Sequence, residues 1–348
     1  MDAGVDIGGT FTDFVLADET GLRIFKRLST PHNPAEAMVE GLLNTPDIEA
    51  SALRRIIHGS TVATNAILER KGARCGLITT AGFRDLLFIG RQNRPELYTL
   101  HPQIPAPIIP RVYCFEALER LDHTGAILIP FDSNQFERVI AQIAEAHLEA
   151  VAVCLLYSYL NPEHEQAIRE MIVSSGVLPA DRVALSCDVL PEFREYERAS
   201  TTALEAYVRP RVSAYLSQLE EQLPDEAQLF IMRSDGGAAA TNIIRQQAVN
   251  MALSGPAAGV IGAFQIAQQA GFSKIITLDI GGTSTDVSLC AGSPTMRAEM
   301  TLDGLPCRIR TLDIETVGAG GGSIARVDSG GALRVGPGKA RGASPRPG

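Results

Sequence analysis

An eight-residue motif occurs twice in this chain, and its two copies differ only at the sixth position. Residues 6–13 read DIGGTFTD and residues 279–286 read DIGGTSTD, with apolar residues flanking both copies. An apolar segment ending in an acidic residue, a Gly-Gly turn and a second alternating segment predict a β-hairpin. One copy alone would be an ordinary hairpin. Two nearly identical copies far apart predict two related lobes, each presenting a phosphate-gripping turn to one cleft.

The predicted turns carry residues suited to binding an anion. Glycine has no Cβ, so the neighbouring backbone N–H groups can approach a ligand closely, and hydroxyl groups beside the turn add donors that favour phosphate. Asp6 and Asp279, at the ends of the first strands, are predicted to hold Mg²⁺ through water or to orient a nucleophile. The residues expected to bind phosphate are Gly8, Gly9, Thr10, Thr12, Gly281, Gly282, Thr283 and Ser284.

Three further loops contain candidate site residues. Residues 56–70 run from a short strand through His58 into a helix with a hydroxyl-rich start, which suits an anionic group. Plain capping by Ser60 or Thr61 is the simpler interpretation of that stretch alone. Asp235 follows a predicted strand and has two interpretations. It contacts a metal-bound water or a substrate, or it simply forms an Asp-Gly turn. The glycine-rich residues 317–325 predict close backbone approach, either to a ligand or to another chain segment.

Charge and composition exclude several classes of protein. The chain has 348 residues and a net charge of −9, which argues against a nucleic-acid or anionic-membrane surface. No apolar run is long enough to span a bilayer, and the N-terminus shows no signal-peptide pattern. The six cysteines are scattered without C-x-x-C spacing, so neither a zinc site nor a redox motif is indicated. We expect a reduced, cytoplasmic protein.

Strand-like and helix-like segments alternate along most of the chain, which predicts an α/β fold. Strands are expected over residues 75–80, 150–157, 182–187 and 229–233, and a long helix is expected to begin after residue 194 and to reach about residue 223. We predict one domain over residues 1–190, a second over residues 191–336 and a disordered basic tail over residues 337–348.

Several motifs together resemble those of a known family. The two hairpins resemble the actin-like ATPase superfamily, and residues 254–263 look like its connecting helix, whose small residues allow two helices to cross closely. The chain also resembles the hydantoinase A/oxoprolinase family, from residue 1 to about residue 336. That family includes 5-oxoprolinase, caprolactamase and subunits of acetone and acetophenone carboxylases. The further motifs that carry the resemblance, in order, are residues 58–65, 80–85, 194–198, 234–237, 254–259 and 317–323.

The resemblance implies a two-lobed actin-like ATPase fold of the ribonuclease H-like type. It implies that ATP, with Mg²⁺, phosphorylates the carbonyl oxygen of a cyclic amide of the hydantoin or 5-oxoproline class, and that hydrolysis follows. A hydantoinase B-type partner subunit and an oligomer are expected. The residues assigned to catalysis on this basis are Asp6, Asp279, His58 and Asp235. The residues expected to lie toward the substrate are Thr61, Thr64, Asn65, Gly320 and Gly321.

The chain departs from the family pattern in its length. Members of the family are about twice as long and carry a further glycine-rich loop that resembles the superfamily's adenosine motif, which has no counterpart here. We therefore expect a C-terminal truncation that leaves the second lobe incomplete. Two alternatives stay open beside the amidohydrolase: a non-catalytic remnant that needs its missing half, and an ATP-dependent ketone carboxylase subunit of the same family.

Overall fold

The protein is described by a computed structural model that covers residues 1–8, 11–30, 33–45, 48, 50–93, 98–101, 104–281 and 284–337. The chain forms two compact units, residues 1–255 with 298–311 and residues 256–297 with 312–348. The predicted sequence domains 1–190 and 191–336 stay predictions. The two compact units divide elsewhere, because the helix that begins at Glu195 belongs to the first unit. The predicted tail lies outside the described residues, apart from Pro337.

The first unit contains most of the secondary structure. Its strands are β1 Asp2–Ile7, β2 Phe11–Asp18, β3 Gly21–Leu28, β4 Arg55–Ser60, β5 Cys75–Thr80, β6 Cys114–Ala117, β7 Arg120–Leu121, β8 Ile127–Ile129, β9 Ala150–Cys154, β10 Val183–Leu185, β11 Gln228–Met232, β12 Ala238–Ala240, β16 Met300–Leu302 and β17 Leu305–Cys307. Its helices are α1 Pro34–Leu43, α2 Val62–Leu68, α3 Leu86–Ile89, α4 Ser133–Glu145, α5 Glu163–Ser174, α6 Ser186–Val189, α7 Glu195–Gln222 and α8 Thr241–Ile244.

Two sheets organise this unit. One is six-stranded, in the order β12-β11-β4-β1-β2-β3, and the other is four-stranded, in the order β10-β9-β5-β6. The central strand β9 is buried at every residue, which is why its sequence AVAVC is a continuous apolar run. Alternate side chains of β9 enter different cores: Ala150 and Ala152 join the main core, whereas Val151 and Val153 pack with α4 and α5.

The long helix α7 lies at the centre of the first unit and packs against β9, α2 and β17. Its apolar residues, among them Leu204, Val208 and Val212, belong to the main core. The helix also buries charge. Glu205 is fully buried and accepts hydrogen bonds from Arg209 Nε at 2.8 Å and from the backbone N–H groups of Ala248 at 3.0 Å and Val249 at 2.8 Å. Because these partners satisfy the carboxylate, it is tolerated at a position where an unpaired charge would be very costly.

The second unit is smaller. Most of helix α9 Ser254–Gln269 lies in it, with strands β13 Lys274–Ile280, β14 Thr285–Ala291, β15 Met296–Arg297, β19 Ile314–Val317, β20 Ser323–Val327 and β21 Leu333–Pro337; β18 Thr311–Leu312 lies at the boundary. The three strands β13-β14-β19 form a sheet. A small core containing Val260, Phe264 and Cys290 joins α9 to it. Among the described residues, no atom lies within 4 Å of a Cβ built on Gly259 or Gly262, and the close helix crossing expected in residues 254–263 stays a prediction.

The predicted α/β class is confirmed, and two predicted strands prove shorter than expected. The strand expected over residues 150–157 ends at Cys154, and the strand expected over residues 182–187 ends at Leu185. The buried carboxylate of Glu165 explains both endings. It accepts the backbone N–H of Leu155 at 2.9 Å and of Cys187 at 3.0 Å. These N–H groups therefore bond to a side chain instead of continuing the sheet.

All six cysteines are free thiols. Within the part of the chain that the structure describes, no helix combines the length and apolar character needed to cross a membrane. The cytoplasmic location expected from the sequence stays a prediction.

Candidate functional site

Both repeated motifs form the predicted hairpin, and the two turns close in the same way. In the first, the N–H of Gly8 donates to the carbonyl of Phe11 at 3.0 Å, and in the second the N–H of Gly281 donates to the carbonyl of Ser284 at 2.9 Å. A Cβ on Gly8 would lie 3.0 Å from the Phe11 oxygen, and one on Gly281 would lie 3.3 Å from the Ser284 oxygen. Glycine is therefore favoured at the start of each turn because a side chain would crowd the closing carbonyl.

Four of the predicted phosphate-binding residues, Gly9, Thr10, Gly282 and Thr283, lie outside the described residues. Their expected contacts stay predictions.

The carboxylate of Asp6, near the end of β1, lies beside two glycines. Parallel pairing of β1 with β4 places Asp6 beside Gly59. A Cβ on Gly59 would lie 2.7 Å from Asp6 Oδ1, and a Cβ on Gly255 would lie 3.3 Å from the same atom. Asp6 itself is exposed. The two glycines thus leave room for an accessible carboxylate between the end of β4 and the start of α9.

This arrangement fits the predicted magnesium ion. Mg²⁺ keeps several of its waters and is usually held by one or two carboxylates together with substrate phosphates, and the exposed carboxylate of Asp6 is a donor of that kind. In the described residues there is no group of three or more His, Cys, Asp or Glu side chains that could enclose a metal ion. A closed, fully protein-bound metal centre is therefore not seen in that part of the chain.

The start of α2 lies next to this carboxylate, and hydrogen bonds hold it in place. Ser254 Oγ donates to the carbonyl of Ser60 at 3.2 Å, and the backbone N–H of Leu253 donates to Thr64 Oγ1 at 2.9 Å. Thr64 is buried and its hydroxyl accepts a bond inside the protein, and its expected contact with a substrate stays a prediction. Thr61, which precedes the helix, makes no capping hydrogen bond with its side chain. Its Oγ1 accepts from the exposed Asn65 side chain at 3.2 Å.

His58 lies in the core, although it was assigned to catalysis and to the substrate. The side chain is fully buried. Its Nδ1 lies 3.2 Å from the carbonyl oxygen of Val5, and its Nε2 lies 2.6 Å from the hydroxyl of Tyr215 on α7. Burial lowers the pKa of His58 from 6.5 to about 4, which keeps the imidazole neutral. In this structure His58 fastens the six-stranded sheet to α7, and its assignment to catalysis stays a prediction.

Thr12 lies inside the sheet beneath the first turn, and its predicted contact with phosphate stays a prediction. The residue is fully buried, and its hydroxyl lies 3.0 Å from Ser29 Oγ. Ser29 in turn donates to the carbonyl of Gly8 at 2.7 Å. The two hydroxyls therefore support the first turn from inside the sheet.

In the second unit, the glycine-rich loop packs against the second hairpin. The N–H of Gly321 donates to the carbonyl of Gly281 at 2.9 Å, and Thr285 Oγ1 donates to the carbonyl of Ala319 at 2.5 Å. The N–H of Gly320 donates to Ser323 Oγ at 3.0 Å. Of the two alternatives for this loop, approach to another chain segment is the one observed. Both N–H groups are bonded within the protein, and the substrate contacts expected of Gly320 and Gly321 stay predictions.

The remaining candidate residues lie in more open positions. Asp279 is exposed at the end of β13, opposite Asp286, and Ser284 is half-buried. Asp235 accepts the N–H of Gly237 at 3.0 Å and pairs with Arg233 at 3.1 Å. This is the turn-forming geometry that competed with the predicted metal-water or substrate contact. Asp6 and Asp279 therefore remain the two candidate carboxylates whose surroundings suit a ligand.

Comparison with known families and structures identifies the class of protein. A model of the hydantoinase/oxoprolinase N-terminal region matches residues 2–176, and a hydantoinase/oxoprolinase model matches residues 198–348. The crystal structure of ATP-dependent caprolactamase from Pseudomonas jessenii aligns with a TM-score of 0.83 and 32% identity, over 98% of this chain and 51% of that one. The nucleotide-free structure of acetone carboxylase aligns with a TM-score of 0.79 and 29% identity, over 97% of this chain and 50% of that one.

Sequence relatives give the same result. The alpha subunit of that caprolactamase is 36% identical over 359 residues, which are 99% of this chain and 51% of the relative. The 5-oxoprolinase 1 of Arabidopsis thaliana is 35% identical over 370 residues, which are 96% of this chain and 29% of the relative. The chain therefore spans about half the length of the caprolactamase subunit.

The fold is an α/β fold of the actin-like ATPase type, as in the two matching structures. The chain belongs to the hydantoinase/oxoprolinase family. Both the predicted family and the predicted fold are thus confirmed. The family includes ATP-dependent cyclic amide hydrolases and ketone carboxylases. Several of its members are named as subunits of larger enzymes.

Two supporting residues were missed by the sequence analysis. Ser29 bonds the carbonyl of Gly8, and Tyr215 bonds His58. No local pattern marks either one, because each partner lies far away in the sequence.

Proposed function

We propose that this protein takes part in ATP-dependent hydrolysis of a cyclic amide, by binding Mg·ATP and phosphorylating the amide carbonyl oxygen. The observation that carries the proposal is the repeated turn. The two hairpins close with the same hydrogen bond, and the first strand of each has an exposed aspartate as its penultimate residue. Likeness to caprolactamase and 5-oxoprolinase supports the substrate class. Likeness to structures of two enzymes described as ATP-dependent supports ATP as the co-substrate.

In the proposed reaction, the terminal phosphoryl group of ATP moves to the amide oxygen as its bond to ADP breaks. Water then adds to the activated carbon and the ring C–N bond breaks, so that the nitrogen leaves as the amine and an acyl phosphate forms. A second water hydrolyses the acyl phosphate to the carboxylate and inorganic phosphate. Phosphoryl transfer of this kind depends mainly on positioning and charge stabilisation. The backbone around Gly8 holds the first turn in shape, and Asp6 would orient the nucleotide's metal ion there. Asp279 has the corresponding position beside the second turn, at Gly281. Mg²⁺, when bound, supplies neutralisation of the phosphate charge.

A second candidate is phosphorylation of a ketone or its enolate before carboxylation. The likeness to acetone carboxylase favours it. Both candidates share the same first step, which is phosphoryl transfer to a carbonyl oxygen. Since relatives carry names such as subunit alpha and subunit beta, we propose that later steps require a partner of the B type within an oligomer.

The test is calorimetric titration of the full chain with Mg·ATP, with Asp6→Asn and Asp279→Asn as variants. We expect each variant to weaken binding by about 10- to 100-fold, the usual cost of losing a group that orients a metal ion through water. The matched control is Asp2→Asn, on the same strand as Asp6, because Asp2 pairs with Arg55 at the surface. The rate of ATP hydrolysis is then measured in the presence of a B-type subunit, once with a lactam and once with a ketone. Stimulation by the lactam supports the amide substrate, and stimulation by the ketone supports the second candidate.

The proposal would be contradicted if the parent chain, folded by circular dichroism, failed to bind Mg·ATP. It would equally fail if Asp2→Asn weakened binding as much as the two site variants.

A further inference from the structure

A concave site lies in the first unit, and none of its lining residues belongs to either of the two repeated hairpins. The cavity has a volume of about 520 Å³, within the range of pockets that hold small organic molecules. Its walls come from α3 with the following residues 90–93, from residues 104–107 and from residues 304–306, and Tyr196 at the start of α7 completes it. Tyr196 belongs to residues 194–198, one of the motifs that carry the family resemblance, and the function proposed for the hairpins does not involve this motif.

The walls of this cavity are largely apolar and are left open. Phe88, Ile89 and Ile104 line it with 41%, 54% and 71% of their surfaces exposed. Large apolar side chains gathered in one concavity favour an apolar ligand, because filling the space removes their surface from water.

Two glycines with left-handed backbone shape the cavity. Gly90, with φ 54°, ends α3, and a Cβ there would lie 3.3 Å from Tyr196 Cζ. Gly304, with φ 77°, faces residue 105 so closely that a Cβ would lie 2.3 Å from Pro105 Cγ. Other residues strain in this conformation. The backbone conformation at Gly90 thus lets the end of α3 lie against Tyr196, and the conformation at Gly304 lets that turn lie against Pro105.

The polar groups of the cavity supply a hydrogen-bond donor but no free charge. Among the described residues, the Tyr196 hydroxyl has no protein hydrogen-bond partner. Burial raises the pKa of Tyr196, so its phenol stays protonated at neutral pH. Arg91 is the charged residue of the lining, and two carboxylates neutralise it: its Nε lies 2.7 Å from Glu197 and its Nη2 lies 2.7 Å from Glu299.

We propose that this cavity binds a compact, uncharged, mainly apolar molecule whose carbonyl oxygen accepts a hydrogen bond from Tyr196. This inference rests on the proposed function, which gives cyclic amides and ketones as the compounds to test. It goes further because it states which of these compounds the cavity binds. A neutral lactam or cyclic ketone fits the donor and the apolar walls. 5-Oxoproline carries a carboxylate, and the Arg91 guanidinium that would have to pair with it is already held by two acids.

The test is ligand-observed NMR and calorimetry on the full chain without nucleotide, with ε-caprolactam, cyclohexanone and 5-oxoproline as probes. We expect saturable binding of the two neutral probes and weaker binding of 5-oxoproline. Tyr196→Phe should weaken lactam binding by about 2- to 10-fold, the range for one neutral hydrogen bond. Ile89→Trp, which fills the cavity, should abolish it. Tyr98→Phe makes the same chemical change at a fully exposed position outside the cavity and should have no effect.

Several results would overturn the inference. These are no binding of either neutral probe by protein with an unchanged melting temperature, equal lactam affinity in the parent and Tyr196→Phe, or tighter binding of 5-oxoproline than of caprolactam. Loss of association with a B-type subunit in Ile89→Trp, without any lactam binding by the parent, would assign the surface to a protein partner instead. The separate Mg·ATP titration keeps this outcome distinct from failure of the proposed function, because lactam binding is measured without nucleotide.

Discussion

Gly59→Ala should disable the nucleotide site while leaving the protein folded. The new Cβ would lie 2.7 Å from Asp6 Oδ1, and ordinary van der Waals contact begins at 3.4 Å, so the carboxylate must move by about 0.7 Å. A carboxylate at the end of an exposed side chain can rotate away, at a cost of about 0.5–1.5 kcal/mol for an off-rotamer torsion. Misplacing a positioning group by nearly 1 Å can reduce function by about 10²-fold.

The assay pairs thermal unfolding with Mg·ATP titration. We expect a small fall in the melting temperature and at least a tenfold weaker Mg·ATP affinity, on the scale of losing an outer-shell ligand, which is about 10- to 100-fold. The control is Gly4→Ala on β1, whose Cβ would meet Val15 at 3.8 Å, an ordinary contact. If Gly59→Ala bound Mg·ATP as tightly as Gly4→Ala and the parent, the assignment of Asp6 to the nucleotide site would be refuted.

Two predictions concern stability. The pKa of His58 is about 4 in the folded protein and 6.5 in the unfolded chain, so its contribution to the free energy of unfolding is complete above pH 6.5 and is lost as the pH falls toward 4. Urea titration should show a loss of about 3 kcal/mol over this range. The loss should be absent in His58→Gln and present in the control His147→Gln, at an exposed position. Parallel pH profiles for the parent and His58→Gln would contradict this. Glu205→Ala leaves Arg209 buried without its carboxylate and should cost about 3–5 kcal/mol. The control is Glu220→Ala, also on α7, which removes an exposed partner of Arg245 and should cost under about 1 kcal/mol. If the two variants lost the same free energy of unfolding, a special role for burial would be ruled out.

Local patterns predicted the elements of this fold well, because they depend on neighbours in the chain. The two hairpins, strand β5 and the long helix α7 lie where glycine pairs, apolar runs and helical periodicity place them. The site was predicted less well. His58 stands in a hydroxyl-rich loop sequence that suggests a ligand, yet its partner Tyr215 is 157 residues away. Nothing in a local pattern distinguishes a polar side chain that bonds the core from one that faces a ligand.

The two turns share one geometry but are supported by different means, and this difference follows from their surroundings. At the first hairpin, side chains support the turn: the hydroxyls of Thr12 and Ser29 share a hydrogen bond, and Ser29 Oγ donates to the carbonyl of Gly8. At the second, the corresponding carbonyl of Gly281 accepts a backbone N–H from Gly321.

A side-chain support can be removed by one substitution, whereas a backbone support persists through most substitutions that keep the loop's path. The first hairpin is therefore the more sensitive to single mutations of its neighbours. The second depends instead on the whole glycine-rich loop, since displacing residues 318–322 would remove the bonds at both Gly281 and Thr285 together. A repeated motif thus keeps the same turn with unrelated neighbours, because each turn requires only that the carbonyl behind it has a donor.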